Sequence, residues 1–496
     1  KPRIQIGREL GVDYLLAGSV RWDQPNEVAH RVRVTVELVR SRDGSSVWAD
    51  RYEATTNDLF AVEAAIGEKV AAALQVALAE RERRAMSARP TQSFEAYTYF
   101  LRGEALRIPP EDALTASPRA VAMYERAVAL DPTFALAFAR LAETHGSIYW
   151  ASTDRTAKRL ALMREAAETA VRLAPDLPEA RLALGLYHYR ARRDYDRALS
   201  EFSSALRQRP GESELLMARG FVLRRQGRFA DAVADLSRAV ELDPRSARTA
   251  FNLGHCYAMM RAHADAVRYF ERAIALSPQW ASVYADLATQ FVTLRGGDVA
   301  AARRALRDGM SLPDAGALVA RLRFQAPMLI GFTAADSTVL RSLTASAFRG
   351  DTAEYMVVRA DWLRRGGEPA RARAYADSAR VILERRVAAE PGEPGPRMLL
   401  ALAYAQLARK PDALREGMRA VESLPSSRDA VDGPDLQEDL AYVEMLVGEH
   451  AAAVRRLENL LTIPSDVTAP LLRADPMWDP LRSNAGFQRL IATPAS

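Results

Sequence analysis

Small, apolar and proline positions recur with a period of 34 residues between Glu212 and Pro278. Gly220, Leu223, Ala232, Leu236, Ala239 and Pro244 are followed at that interval by Gly254, Tyr257, Ala266, Phe270, Ala273 and Pro278. Within each period the spacing is helical. Gly220 and Gly254 sit in a first helix, and Ala232 and Ala266 sit in a second. Small residues at those points let two antiparallel helices approach closely, because interaxial distance follows the side chains at the contact. Leu236/Phe270 and Ala239/Ala273 continue the buried stripe of the second helix. The proline then ends it, lacking an amide hydrogen and clashing with the preceding turn. A single hairpin of this kind cannot bury its own apolar face, so the period predicts a stacked solenoid.

The rhythm extends in both directions. Terminating prolines fall at Pro132, Pro175, Pro210, Pro244, Pro278 and Pro313. The repeat ending at Pro313 is imperfect, with Asp308 where a small apolar residue is expected to pack. The pattern lapses over 314–350, where Leu318–Phe324 and Ser337–Phe348 still read as helices and suggest a divergent pair. It returns with a long amphipathic helix over Glu368–Glu390, then Ala401, Tyr404, Ala413, Ala420 and Pro425. A last pair is expected over Asp435–Leu461. The proline-punctuated tail offers Trp478, Leu481 and Phe487 as a cap for the exposed end of the stack.

The first 85 residues follow another period. Val32, Val34, Val36 and Leu38 alternate with Arg31, Arg33, Thr35 and Glu37, the period-2 pattern of a half-buried strand. Tyr14–Val20 precedes it as a strand, and Asp43-Gly44 turns the chain into a third strand over Ser46–Tyr52. A helix ending near Gly11 and a long one over about 58–84 complete a small α/β unit. Small and polar residues around Pro90 make 86–95 a hinge. The resulting division is 1–85 α/β, 86–95 hinge, 96–313 repeats, 314–350 divergent pair, 351–464 repeats and 465–496 cap.

Composition narrows the chemistry. In 496 residues, 68 Lys+Arg oppose 63 Asp+Glu, for a net charge of +5, too small an excess to mark a nucleic-acid surface by itself. The short clusters Arg224-Arg225 and Arg364-Arg365 are expected on solvated helix faces. The single cysteine, Cys256, excludes an internal disulfide and a thiolate metal cluster, and reads as a packed thiol. Phosphate loops, dinucleotide fingerprints, HExxH and kinase signatures do not occur. The six histidines are scattered. Acid pairs such as Asp194/Asp196 and Glu212/Glu214 stand near helix starts, where carboxylates favour the helix dipole. No catalytic, cofactor or metal site is therefore predicted.

The residues at positions 220–278 resemble the tetratricopeptide repeat. The segments Ile6–Tyr14, Gly18–Arg21, Val47–Tyr52 and Asp58–Glu63 resemble a TolB amino-terminal-like domain, also called FlgO-like. The first resemblance implies a mainly α fold, a right-handed superhelix of helix hairpins, behind the small α/β domain. It also implies a concave inner face, lined by first helices, that binds extended peptides or partner helices. Carried onto this chain, that face comprises Tyr189, Phe221, Arg224, Arg225, Arg248, Phe251, Asn252, His255, Met259, Asp286 and Thr289. For each residue singly, packing between repeats is an equal reading. The carboxylate clamp of chaperone-binding members is not reproduced; only Asn252 and Arg248 echo it.

The sequence thus points to a non-catalytic interaction or scaffold module for a protein or peptide partner, the sensory or regulatory part of a bacterial signalling protein. The alternative is the carboxy-terminal region of an enzyme, a Ser/Thr protein kinase or nucleotide cyclase, or of a winged-helix regulator. A strand is expected before Lys1, and with it a longer protein. The expected setting is the bacterial cytoplasm or, with a membrane segment before Lys1, the outer side of the inner membrane.

Overall fold

The computed structural model describes residues 2–10, 12–22, 31–55, 59–76, 83, 89–106, 118–150, 154–294, 297–325 and 342–492. It divides into two compact units, one of residues 1–106 with 118–138 and one of 107–117 with 139–496. Residues 86–88 of the expected hinge, the loop around Pro109-Pro110 and residues 326–341 of the divergent pair lie outside the described residues.

In the first unit, α1 (Arg3–Leu10) precedes β1 (Tyr14–Trp22), β2 (Arg31–Arg40) and β3 (Ser46–Thr55). These form an antiparallel meander in the order β1-β2-β3, with Tyr14 opposite Arg40 and Arg33 opposite Glu53. The alternation read from β2 places Val36 and Leu38 in the core. Helix α2 (Leu59–Ala73) is shorter than the expected 58–84. Gln75 takes a φ of 57°, and the Val76 amide reaches back to the Ala71 carbonyl, the wrap that terminates a helix. The hairpin α3 (Phe94–Leu106) and α4 (Pro118–Leu130) belongs to this unit. Gly103 packs on the Tyr124 ring there, where a Cβ would stand 2.5 Å from the nearest ring atom.

The second unit is a run of helix hairpins. Helix α5 (Ala135–Trp150), whose first four residues belong to the first unit, leads to α6 (Ala157–Leu173). Three regular pairs follow: α7 (Pro178–Arg192) with α8 (Tyr195–Gln208), α9 (Ser213–Arg225) with α10 (Phe229–Leu242), and α11 (Ala247–Met259) with α12 (His263–Leu276). Next come α13 (Ala281–Thr293), α14 (Val299–Met310) and α15 (Ala315–Leu322). The second run holds α16 (Thr352–Arg365) with α17 (Pro369–Ala389), α18 (Pro394–Gln406) with α19 (Lys410–Ser423), and α20 (Asp432–Leu446) with α21 (His450–Leu460). The chain closes with α22 (Ala469–Ala474), a 3₁₀ turn over Pro476–Leu481 and α23 (Ala485–Ala492). The repeat signature works as its residue types require: Gly254 meets the Phe270 ring at 3.0 Å from the position of a Cβ, and Ala232, Leu236, Ala266, Phe270 and Ala273 are fully buried. One continuous apolar cluster runs from Ala250 to Ile491 and includes Trp478, Leu481 and Phe487.

Two local readings need correction. Asp308 is exposed; the register of α14 slips by one residue and Gly309 packs instead, against Leu318 and Tyr284. Arg224 and Arg225 are not on a solvated face but are 8% and 6% exposed. Arg365 is likewise mostly buried, its Nε 2.9 Å from an Asp361 carboxylate that has no exposure to solvent.

The hairpin corners explain how the runs meet. Arg193, Gly227 and Arg261 occupy equivalent corners one repeat apart, all in the left-handed region, with φ of 47°, 75° and 59°. Glycine is the undemanding residue there, and a side chain costs roughly 1–2 kcal/mol. Both arginines reach the later run. Arg193 forms a forked pair with Glu393 at 3.2–3.3 Å, and Arg261 donates to the Leu460 carbonyl at 3.1 Å. Gly227 lies against Ala430. These contacts link residues 200, 203 and 199 positions apart. A nearly constant offset means that the superhelix has come round and stacked a later turn on an earlier one.

Candidate interaction surface

The eleven residues expected on the inner face separate into two groups. Phe221, His255 and Thr289 hold one repeat position on α9, α11 and α13, and Asn252 and Asp286 hold another. Helical geometry puts i, i+3 and i+4 neighbours on one face, so these rows merge into a strip with Arg224, Arg248 and Phe251. Arg224 donates to Asn252 Oδ1 at 3.3 Å and to His255 Nδ1 at 3.2 Å. The guanidinium groups of Arg224 and Arg248 lie over the Phe221 ring, 5.8 and 5.4 Å from its centroid. Phe251 stacks obliquely on Trp280 at 4.9 Å. Burial, together with Arg224 and Arg321, holds the His255 imidazole well below its usual pKa, so it is neutral and its Nδ1 accepts.

The second group is Tyr189, Arg225 and Met259. Arg225 and Met259 are themselves equivalent, one repeat apart, at the ends of their helices that face the later turn. Met259 packs with Phe229 and Val431. Arg225 donates to Asp429 Oδ2 at 2.7 Å and, through Nε, to the Tyr189 hydroxyl at 2.9 Å. These three are occupied by the chain itself.

The strip runs into a cleft of about 160 Å³ between the turns. His255, Asp286 and Thr289 form one wall, Arg321 and Arg323 a second, and Asp435, Glu438, Asp439 and Asp466 a third, over a floor of Phe270, Phe324, Leu471 and Met477. Arg321 is committed to Asp286, Nη2 to Oδ1 at 2.7 Å, and that carboxylate raises its pKa despite burial. Arg323 bonds Asp439 at 3.2 Å and approaches Glu354. It is held at φ 44°, ψ −112°, a strained conformation of the kind that persists where surroundings over-determine it. Among the described residues, neither Asp435 nor Glu438 has a hydrogen bond or ion pair. Asp435 lines the cleft and is exposed to solvent. Desolvation, then Asp466 and Asp432, push its carboxyl up to about 8. Desolvation, then Asp435 and Asp439, push Glu438 well above the usual range. The cleft is thus acidic, and its two arginines are already paired with Asp286, Asp439 and Glu354. No group of three or more His, Cys, Asp or Glu suited to a metal ion occurs among the described residues.

The sequence marks Asp435 only as the start of a helix, and the other cleft acids and Arg321/Arg323 carry no sequence signal. Glu438, Asp439 and Asp466 come from segments more than a hundred residues beyond α11, and Arg321 and Arg323 from one more than sixty beyond it, brought together by the turn-to-turn stacking.

This architecture is an α-solenoid of helix hairpins. Residues 212–279 match one tetratricopeptide-repeat family model and residues 164–213 another, so this part of the chain carries tetratricopeptide repeats. A putative adenylate cyclase 3 of Rhizobium meliloti (strain 1021) is 33% identical over 170 residues, 33% of this chain and 28% of that protein. The matched stretch thus spans well under two thirds of the relative. Similar solved structures include a thermophilic tetratricopeptide protein of Thermus thermophilus (20% identity, 39% of this chain, 98% of that chain, TM-score 0.34). Another is the human IFIT1 dimer with m7Gppp-AAAA (16% identity, 73% of this chain, 76% of that chain, TM-score 0.42). No helix among the described residues is long and apolar enough to cross a membrane.

Proposed function

We propose that this chain is a non-catalytic protein-interaction module, and that the inner strip with its cleft takes a basic segment of a partner protein. The observation that carries this reading is the pair Asp435 and Glu438, two carboxyl groups with no ion pair among the described residues, beside a strained arginine and an apolar floor. A lysine or arginine side chain entering the cleft would satisfy both groups, with its stem on Phe270 and Leu471. Phe221, Phe251, Asn252, His255 and Thr289 would contact the flanking peptide. Charge-assisted hydrogen bonds are the strong ones in such a setting.

Because both carboxyl groups hold protons more tightly than usual, binding a cation would release protons and strengthen as pH rises. The test is a peptide array probed with the purified chain at pH 6 and pH 8.5. Basic peptides are expected to dominate, with higher signal at pH 8.5, and Asp435→Asn with Glu438→Gln is expected to abolish the preference. Equal recovery of acidic and basic peptides, or insensitivity to the double substitution, overturns the reading.

The match to a putative adenylate cyclase over 170 residues favours a second, compatible reading of context: the module is the regulatory part of a bacterial signalling protein whose catalytic domain lies elsewhere in the polypeptide. The α/β segment over 1–85 would then be its TolB-like component. The full-length reading frame tests this directly.

A further inference from the structure

The group formed by Arg225, Tyr189 and Tyr195 is built like a receptor for a carboxylate. Arg225 is 6% exposed, and its guanidinium lies 5.4 Å from the Trp150 ring centroid and 5.7 Å from that of Tyr189. Its Nε is fixed by the Tyr189 hydroxyl, leaving Nη1 for the ligand. The Tyr195 hydroxyl, 2.5 Å from Asp429 Oδ2, donates the second bond to the same oxygen. The ligand is the chain's own loop between α19 and α20. Asp429 is wholly buried, and its other oxygen accepts from the amides of Val431 and Asp432 at 2.9 and 3.0 Å, which folds the loop into a tight turn. The Ala430 amide donates to the Arg225 carbonyl at 2.7 Å, a main-chain contact of the type that seats peptides. Asp432 adds a half-exposed carboxylate at 2.7 Å from Nη1.

A turn held only for stability would more economically be apolar. Buried ion pairs gain little over well-packed hydrophobic residues of the same volume, and in some systems they serve to fix register. Here the specific element is one aspartate at the tip of a loop whose apolar contribution at the site is chiefly Val431 against Phe229 and Met259. The receptor side lies on the regular repeats, whereas the ligand side lies on a connection 204 residues later.

We infer that Arg225, Tyr189 and Tyr195 form a peptide-carboxylate site, filled at rest by the Asp429 loop, and that this loop is a displaceable clasp between two turns of the superhelix. The external ligand that fits is an acidic peptide presenting one aspartate at a turn. This site is distinct from the acidic cleft, and the inference does not depend on the cleft's ligand.

The experiment uses the full chain and a fluorescent peptide with the sequence of residues 424–433. Asp429→Ala should open the coil, increase the radius of gyration in X-ray scattering, and bind the peptide at least tenfold more tightly than the wild type does. The same peptide with asparagine in place of the aspartate should bind at least tenfold more weakly. On wild-type protein, excess peptide should accelerate hydrogen exchange at the Ala430 amide several-fold, a readout that stands even if the variant fails to fold. An Asp429→Ala chain that is folded, as compact as wild type and blind to the peptide overturns the inference. So does an Ala430 exchange rate indifferent to the peptide.

Discussion

Arg225 and Asp429 are 204 residues apart in sequence and 2.7 Å apart in space, with both side chains almost fully buried. Removing Arg225 strands the buried Asp429 charge, and removing Asp429 leaves Arg225 only the half-exposed Asp432; breaking a buried pair typically costs about 3–5 kcal/mol. Arg225→Ala and Asp429→Ala are each expected to destabilise the second unit by about that much. The double substitution should cost clearly less than their sum, since residues in one network do not add. Urea unfolding of the four species of this cycle measures it; additive losses would show that the pair is not coupled.

The hairpin corners allow a sharper contrast. Arg261 pays for a left-handed backbone and recovers part of it through its bond to the Leu460 carbonyl. Arg261→Gly loses the bond but relieves the backbone, whereas Arg261→Ala loses the bond and keeps the strain. The alanine variant should be less stable than the glycine variant by about 1 kcal/mol. Equal melting temperatures would refute the assignment of strain to this corner.

His145 carries a pH dependence whose sign can be worked out. It is 1% exposed, and its Nδ1 lies 2.7 Å from Arg159, which donates to it. Burial first and Arg159 second lower its pKa from 6.5 to about 4. The unfolded chain takes up a proton that the folded chain refuses, so stability is full above pH 6.5 and falls as the pH drops toward 4. The loss is on the order of 3 kcal/mol at the acid end. Chemical denaturation at pH 7.5 and pH 4.5 should show it, and His145→Phe should flatten the profile.

Asp435 predicts the opposite slope. Its folded pKa is raised to about 8, above that of an unfolded aspartate. Its contribution is therefore present at low pH and lost as the pH rises through 8. Asp435→Asn should raise the melting temperature at pH 9 and leave it nearly unchanged at pH 5. A substitution that stabilises equally at both values would mean that the carboxyl is not under strain in the cleft.

The period of 34 residues made the hairpins legible, because close approach at Gly220 and Gly254 leaves a local signature in residue size. The resemblance to the repeat family placed Phe221, Arg224, Asn252 and His255 on one face, and Tyr189, Arg225 and Met259 with them, which pack against the later turn instead. What it could not convey was the return of the chain upon itself. Arg225 reads as one more helical arginine until Asp429 is beside it, and that adjacency depends on superhelical pitch, which no local pattern encodes. The cleft acids were hidden for the same reason. The slip of register at Gly309 shows a smaller limit: a single extra residue in the period moved packing from one position to the next.

A free solenoid can gain or lose a repeat and remain itself, only longer or shorter. This one cannot. Arg193, Arg225 and Arg261 address partners at offsets of 200, 204 and 199 residues, so deleting one hairpin between the turns would bring each arginine to the wrong partner. The number of repeats is therefore part of the lock, and the array is counted as well as folded.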